Sequence, residues 1–260
     1  KRNDMTFSGD FTYFLLILAR MSGCVFFNQI FGRGNIPAFL KTALSLFLAI
    51  TVYGMIPPEA TTVIGSIVEY ILLIAKEIFI GYLIGYIINL FFGTVVISGE
   101  IMDMQIGMSM SKIYDPSSNL SMGISGSFLN VILILIFFSA NGHLTLIQIF
   151  ITSCKLIEVG NFSIPRDLFF NMVELFQQVL ILALKLSMPV MAVEIILEAG
   201  IGILMKAIPQ IQVFSVNVQL KILVGLLLII MLVPTFSTFI DKVVTLMFDT
   251  IRNSLSVLAS

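Results

Sequence analysis

Ser125 lies in the stretch Gly123-Ile124-Ser125-Gly126, the Gly-x-Ser-Gly pattern of intramembrane serine proteases, and the chain carries one histidine, His143, that could act as its base. A working dyad needs hydrogen-bond contact, roughly 2.6–3.2 Å between heavy atoms. Eighteen residues separate Ser125 from His143, and one helix between them would hold them up to ~27 Å apart. The spacing favours a small-residue turn at 123–127 and a histidine at a helix break. No phosphate loop, dinucleotide fingerprint or His-rich metal pattern occurs in the sequence. Cys24 and Cys154, 130 positions apart inside apolar runs, make neither a disulfide framework nor a metal cluster and are expected to be buried, inert thiols. The expectation is a protein that is not an enzyme, with no catalytic residue, cofactor or metal.

Charge offers a second kind of chemistry. Arg20, Lys41, Lys76, Glu77, Lys185, Glu194 and Glu198 interrupt apolar segments. Each costs about 2.5–3.5 kcal/mol at the centre of a membrane helix on insertion scales, so each should face protein or water. Lys76 and Glu77 are neighbours that point different ways round a helix and cannot neutralise each other, while Glu194 and Glu198 repel at i,i+4. Such charges pair either within one bundle or with partner subunits. Two ridges of mostly small residues, Gly81/Gly85/Asn89/Gly93 and Gly99/Asp103/Gly107/Ser111, repeat every four positions. Small residues at that spacing let helix backbones approach closely, inside one chain or between chains.

The most unusual stretch is Gly99–Pro116. Five of the 14 methionines fall between Met102 and Met122, interleaved with Glu100, Asp103, Gln105 and glycines. Methionine is unbranched and polarizable and conforms to changing shapes. Polar groups and glycine at membrane depth are tolerated only where they line a cavity or lie under protein. Two readings remain: a deformable closure in a conduit, or a Met-filled core followed by a polar turn at Asp115-Pro116.

These residues must be held by a membrane-type scaffold. Of 260 residues, 58% are hydrophobic and 11% charged, against about 45–50% and 25% in ordinary soluble domains. Mean hydropathy is +1.06. A soluble monomer of this size has too little interior to hide so much apolar surface. A net charge of -1 leaves no electrostatic footprint for nucleic acid. The apolar stretches 11–31, 38–56, 63–98, 128–151, 168–205 and 222–240 have lengths that favour helices. The third and fifth could each be a hairpin or one very long helix. The run after Asp10 is expected to be a first membrane helix, not a removed signal. Breaks are expected at 32–37, 57–58, 115–127, 160–165, Pro209 and Pro234. Basic residues do not partition between alternate loops, so no topology of the termini follows. A self-contained secondary transporter, with Lys76, Glu77, Glu194 and Glu198 as coupling groups, would also use such charges, but no internal repeat supports it.

Four blocks resemble the FliR family of the flagellar type III protein export apparatus. They are Arg20 with Phe31-Gly32, Pro37 and Lys41; Gly99-Glu100 with Gln105-Ile106-Gly107 and Asp115-Pro116; Asn141-Gly142-His143; and Lys206 with Pro209-Gln210, Phe214 and Leu220-Lys221. The chain departs from the pattern at Gln29, Lys206, Gln212, Asn217 and Gln219. The resemblance implies an all-α, membrane-associated fold of helical hairpins in one export-gate domain. Its FliP-like portion would cover about 1–200 and a FliQ-like hairpin 201–260. It implies assembly with FliP-like, FliQ-like and FlhB-like subunits, a FlhA-like subunit nearby, contact with membrane lipid, and passage of unfolded proteins. The implied location is the bacterial inner membrane at the flagellar basal body, with an injectisome counterpart as the alternative. By position, the family's pore-closing loop falls on Gln105, Gly107, Met108, Met110, Ile113 and Tyr114. Gly81, Gly85, Gly93, Glu194 and Glu198 are the candidate helix-packing or partner-facing positions.

Overall fold

The computed structural model describes residues 9–56, 67–109, 113–115, 120–160, 168–207 and 213–259. The described residues form eight helices: α1 (Gly9–Phe26), α2 (Ala38–Met55), α3 (Ile67–Ile106), α4 (Ile124–Ser139), α5 (Gly142–Leu156), α6 (Leu168–Ala207), α7 (Val213–Met231) and α8 (Val233–Ala259). The architecture is all-α. Its one small addition is an antiparallel ribbon of two three-residue strands, β1 (Ile113–Asp115) and β2 (Leu120–Met122), with Ile113 opposite Met122 and Asp115 opposite Leu120.

The two long apolar stretches resolve as single helices. α3 and α6 have 40 residues each, about 60 Å at the helical rise. That is twice the ~30 Å of bilayer hydrocarbon. α6 stays helical through Pro189. The stretch 128–151 instead breaks between α4 and α5, where Asn141 takes the left-handed conformation at φ 55°, which asparagine tolerates better than most residues. The last stretch breaks at Leu232, with Pro234 inside the first turn of α8 and a 61° bend between α7 and α8. Proline suits that position because a first-turn residue needs no amide donor. Among the described residues three helices, α2, α3 and α6, are long and apolar enough to cross a membrane, or up to five spans if each broken pair counts as one.

The residues group into two compact units. One takes the described parts of 1–89, 141–169 and 247–260; the other takes 90–140 and 170–246. The first has a core of Leu16, Ile17 and Met21 from α1, Leu48 and Val52 from α2, Ile80 and Ile84 from α3, and Phe150 from α5. Phe14 meets Tyr53 edge-on at 5.9 Å, pinning α1 to α2. The second buries Phe91, Phe92 and Val95 of α3, Leu133 and Phe137 of α4, Val190 of α6 and Phe236 of α8. Phe92 and Phe137 pack edge-on at 5.9 Å.

Outside these cores many large apolar side chains face outward, including Phe39, Phe47, Ile196, Ile203 and Ile230. Water would penalise that surface heavily, since each fully exposed aliphatic or aromatic side chain forgoes about 1.5–3 kcal/mol of burial. Lipid or protein would not. The helices therefore carry apolar residues both inward and outward, as a membrane-embedded chain must.

Candidate functional site

The Met-rich segment leaves α3 and returns as α4, and both of its ends converge on one acidic turn. α3 stops at Gly107, whose φ of +89° is open to glycine at no steric penalty. The Asp103 carbonyl then accepts the amides of Gly107 (3.1 Å) and Met108 (2.8 Å), closing the helix end. On the return side, α4 starts at Gly123, which has no side chain to cap the helix. Two carboxylates on α3 do so instead. The Asp103 carboxylate accepts the Ser125 amide at 3.2 Å and also the Ser125 hydroxyl. Glu100 Oε1 accepts the Gly123 amide at 3.2 Å. Glu100 and Asp103 stand at i,i+3, on one face of α3. They fill the donors that a helix N-terminus otherwise leaves unpaired, at the end where its dipole favours negative charge.

Close backbone approach makes this reach possible. A Cβ on Gly99 would collide with the Cα and amide nitrogen of Gly126, so α3 and α4 touch backbone to backbone one turn before Asp103. A Cβ on Gly123 would overlap the Asp103 carboxylate. On α7, a Cβ at Gly225 would come within 2.5 Å of Ile106 Cγ1, so the last residue of α3 fills a notch in α7. Asp103 and Ser125 are both buried. Ser125 thus spends its hydroxyl on Asp103 and begins a helix.

Among the closure candidates, Met108 is buried, Gln105 is half-buried and Gly107 is exposed. Ile113, Tyr114 and Asp115 form β1. Met110 and Pro116 lie outside the described residues, as do Pro209 and Gln210; Phe214 falls in the first turn of α7.

A second polar centre sits in the other unit. Arg20 and Glu77 are 0% and 1% exposed and pair at 2.5 Å. Arg20 Nη1 also donates to the carbonyls of Ser153 and Ile157, each at 2.9 Å, and Glu77 Oε1 accepts the Gly160 amide at 2.8 Å. One guanidinium so joins α1, α3 and the end of α5. Its planar fork reaches Glu77 and two carbonyls in fixed, separate directions, a geometry that a lysine's compact ammonium does not reproduce. Gly81 lets the helices meet there: a Cβ would lie 2.6 Å from Arg20 O and from Cys24 N. At Gly85 a Cβ would stand 2.5 Å from Phe27 O, whereas at Gly93 nothing lies within 4 Å.

The remaining family-pattern residues sit at turns. Pro37 precedes α2, and Lys41 Nζ donates to Gly32 O at 2.8 Å, closing the α1–α2 connection. Asn141 accepts the Leu144 and Thr145 amides through its carbonyl, Gly142 is buried, and His143 is half-buried on the first turn of α5. On α6, Glu198 pairs with Lys221 of α7 at 3.1 Å. Glu194 is fully buried, and neither of its carboxylate oxygens has a hydrogen-bond partner among the described residues. Among the described residues no three His, Cys, Asp or Glu side chains gather as a metal-binding group.

Sequence reasoning set Glu77 apart as a charge, Asp103 as part of a small-residue ridge and Ser125 as a weak nucleophile. Their partners, Arg20 for Glu77 and Asp103 for Ser125, lie far along the chain. The available signal was Glu100 and Asp103 at i,i+3, followed by a helix start, Gly123-x-Ser125, with no cap of its own.

The family model for bacterial export proteins, family 1, matches residues 11–247. The flagellar biosynthetic protein FliR of Bacillus subtilis (strain 168) is 28% identical over 251 residues, 95% of this chain and 96% of that protein. FliR of Escherichia coli (strain K12) is 23% identical over 241 residues, 93% and 92% of the two chains. The Yop proteins translocation protein T of Yersinia pestis is 25% identical over 251 residues, 94% and 95%.

Proposed function

This chain belongs to the bacterial export proteins, family 1, the FliR family of type III export, and we propose that it forms, with FliP-like and FliQ-like subunits, a gated conduit for unfolded flagellar proteins across the bacterial inner membrane. Family membership makes it a membrane-embedded, structural component of an export apparatus of the flagellar type. Within that apparatus, the portion up to about residue 200 acts as a FliP-like subunit and the α7–α8 pair as a FliQ-like hairpin. A FlhB-like subunit wraps the assembly and a FlhA-like subunit stands nearby. The outward apolar side chains of α2, α6 and α7 then meet sibling subunits as well as lipid.

The observation that carries the gating role is the Met-rich segment emerging between α3 and α4. Its feet are held together while its methionines and glycines can adapt. In the closed gate Gln105, Gly107, Met108, Met110, Ile113 and Tyr114 occlude the passage, and a passing chain displaces them. Exchanging Met108 and Met110 together for glycine removes soft bulk without adding charge. The assembled complex carrying both changes is expected to leak small ions several-fold more than wild type while still assembling. Unchanged leakage would take the closure role away from this segment. The likeness to a Yop translocation protein favours a second reading, a gate for translocated proteins other than flagellar ones. Loss of flagellar secretion on deleting the gene separates the two.

A further inference from the structure

Asp103 does two jobs from one position. Its backbone carbonyl receives the amides of Gly107 and Met108, which start the Met-rich segment. Its carboxylate receives the amide and hydroxyl of Ser125, just where the segment ends. Glu100, one turn earlier, receives the Gly123 amide. The buried setting raises the consequence of breaking these bonds, because an unpaired helix-end amide or carboxylate has no water to turn to. At the two glycine contacts, Gly99 on Gly126 and Gly123 on the Asp103 carboxylate, there is no room for a side chain.

We propose that Asp103, seconded by Glu100, is a positioning residue that latches the two feet of the closure segment by capping α4 from α3. The latch rests on the closure reading above for its role in gating, but its geometry stands apart from that role. A latch that holds α4's first turn to α3's last turn fixes the start and the end of the segment in the resting gate. The carboxylate acts through the amide and hydroxyl it holds.

The test uses the assembled complex with the full chain and two measurements, amide hydrogen exchange across 104–126 and small-ion leakage. Asp103→Ala should speed exchange of the Ser125 amide about tenfold or more, the size expected for losing a charge-assisted hydrogen bond. Glu100→Ala should do the same for the Gly123 amide. Ser125→Ala, which frees the carboxylate from one of its bonds, should speed the Ser125 amide less but measurably. Gly123→Ala should speed the Ser125 amide from the opposite side, by pushing the carboxylate away. Exchange at Ile157 and Gly160, beside Arg20 and Glu77, should stay unchanged, and leakage should rise. Asp103→Asn, which keeps an acceptor oxygen, should fall between wild type and alanine in both. Wild-type exchange in Asp103→Ala and Ser125→Ala overturns the latch. Faster exchange with wild-type leakage overturns its part in gating; if the Met108/Met110 double variant leaks all the same, the closure reading survives that loss, and if it is silent too, both fall. Should Asp103→Ala not assemble, Ser125→Ala, which removes only a hydroxyl, decides the same question.

Discussion

Replacing Arg20 by leucine is expected to destabilise the first unit by about 3–5 kcal/mol, the loss typical when one member of a buried ion pair is left alone. Among the described residues Glu77 would then keep the Gly160 amide alone, and the Ile157 carbonyl at the end of α5 would lose the Arg20 donor. Glu77→Leu should destabilise similarly, stranding a guanidinium that is wholly out of solvent. The double variant should lose clearly less than the sum of the singles, since neither charge remains to be stranded. Arg20→Lys should lie between wild type and leucine, because an ammonium cannot serve Glu77, Ser153 and Ile157 together with the guanidinium's geometry. Thermal unfolding of the detergent-solubilised chain, read as a double-mutant cycle, measures all four. Additive losses would mean that the pair is not coupled.

The second large effect concerns Gly81. A leucine there must displace the backbone of α1, because even its Cβ would sit 2.6 Å from two backbone atoms and 2.7 Å from Gly23 C. Backbone cannot rotate aside as a side chain can, so α1 and α3 would separate and the Arg20–Glu77 pair would stretch with them. We expect a loss of about 3 kcal/mol or more for Gly81→Leu, in the range of severe core overpacking. Gly93, three turns on in the same ridge, has nothing within 4 Å of its would-be Cβ. Gly93→Ala should be neutral or stabilise by up to about 1 kcal/mol through helix propensity. The same melting experiment distinguishes the two. If Gly93→Leu leaves the isolated chain intact yet lowers recovery of the assembled complex, Gly93 is a place where another subunit docks.

Arg20 also explains why scattered charge is compatible with this apolar chain. Its partner Glu77 lies 57 positions away and its carbonyl acceptors 133 and 137 positions away. Glu198 similarly finds Lys221 on the next helix. Charges that look isolated along the chain are therefore met across helices, while Glu194 stays buried without a hydrogen-bond partner among the described residues. The four-residue glycine ridge likewise divides by place: Gly81 and Gly85 serve contacts inside the chain, and Gly93 stands open.

Local sequence alone determined the class of protein, its helical character and the breaks at 32–37 and beside Pro234, while the expected breaks at 57–58, 161–165 and Pro209 lie outside the described residues. Hydropathy, helix length, proline and asparagine act over a few residues, so their consequences can be read without knowing what lies across the fold. The order and spacing of four short blocks also carried the family, which the match over residues 11–247 bears out. An unbroken apolar run such as 63–98 satisfies both a hairpin and one long helix. Only tertiary structure decided that α3 runs on to Ile106, that Arg20 answers Glu77, and that the Asp103 carboxylate caps the helix starting at Gly123 by accepting the amide and hydroxyl of Ser125. Those outcomes depend on which helices cross and how closely, and Gly23 against Gly81 and Gly99 against Gly126 set those distances across 58 and 27 positions of chain. Ion pairs and caps reach only a few ångströms, so their partners exist only once such crossings are made.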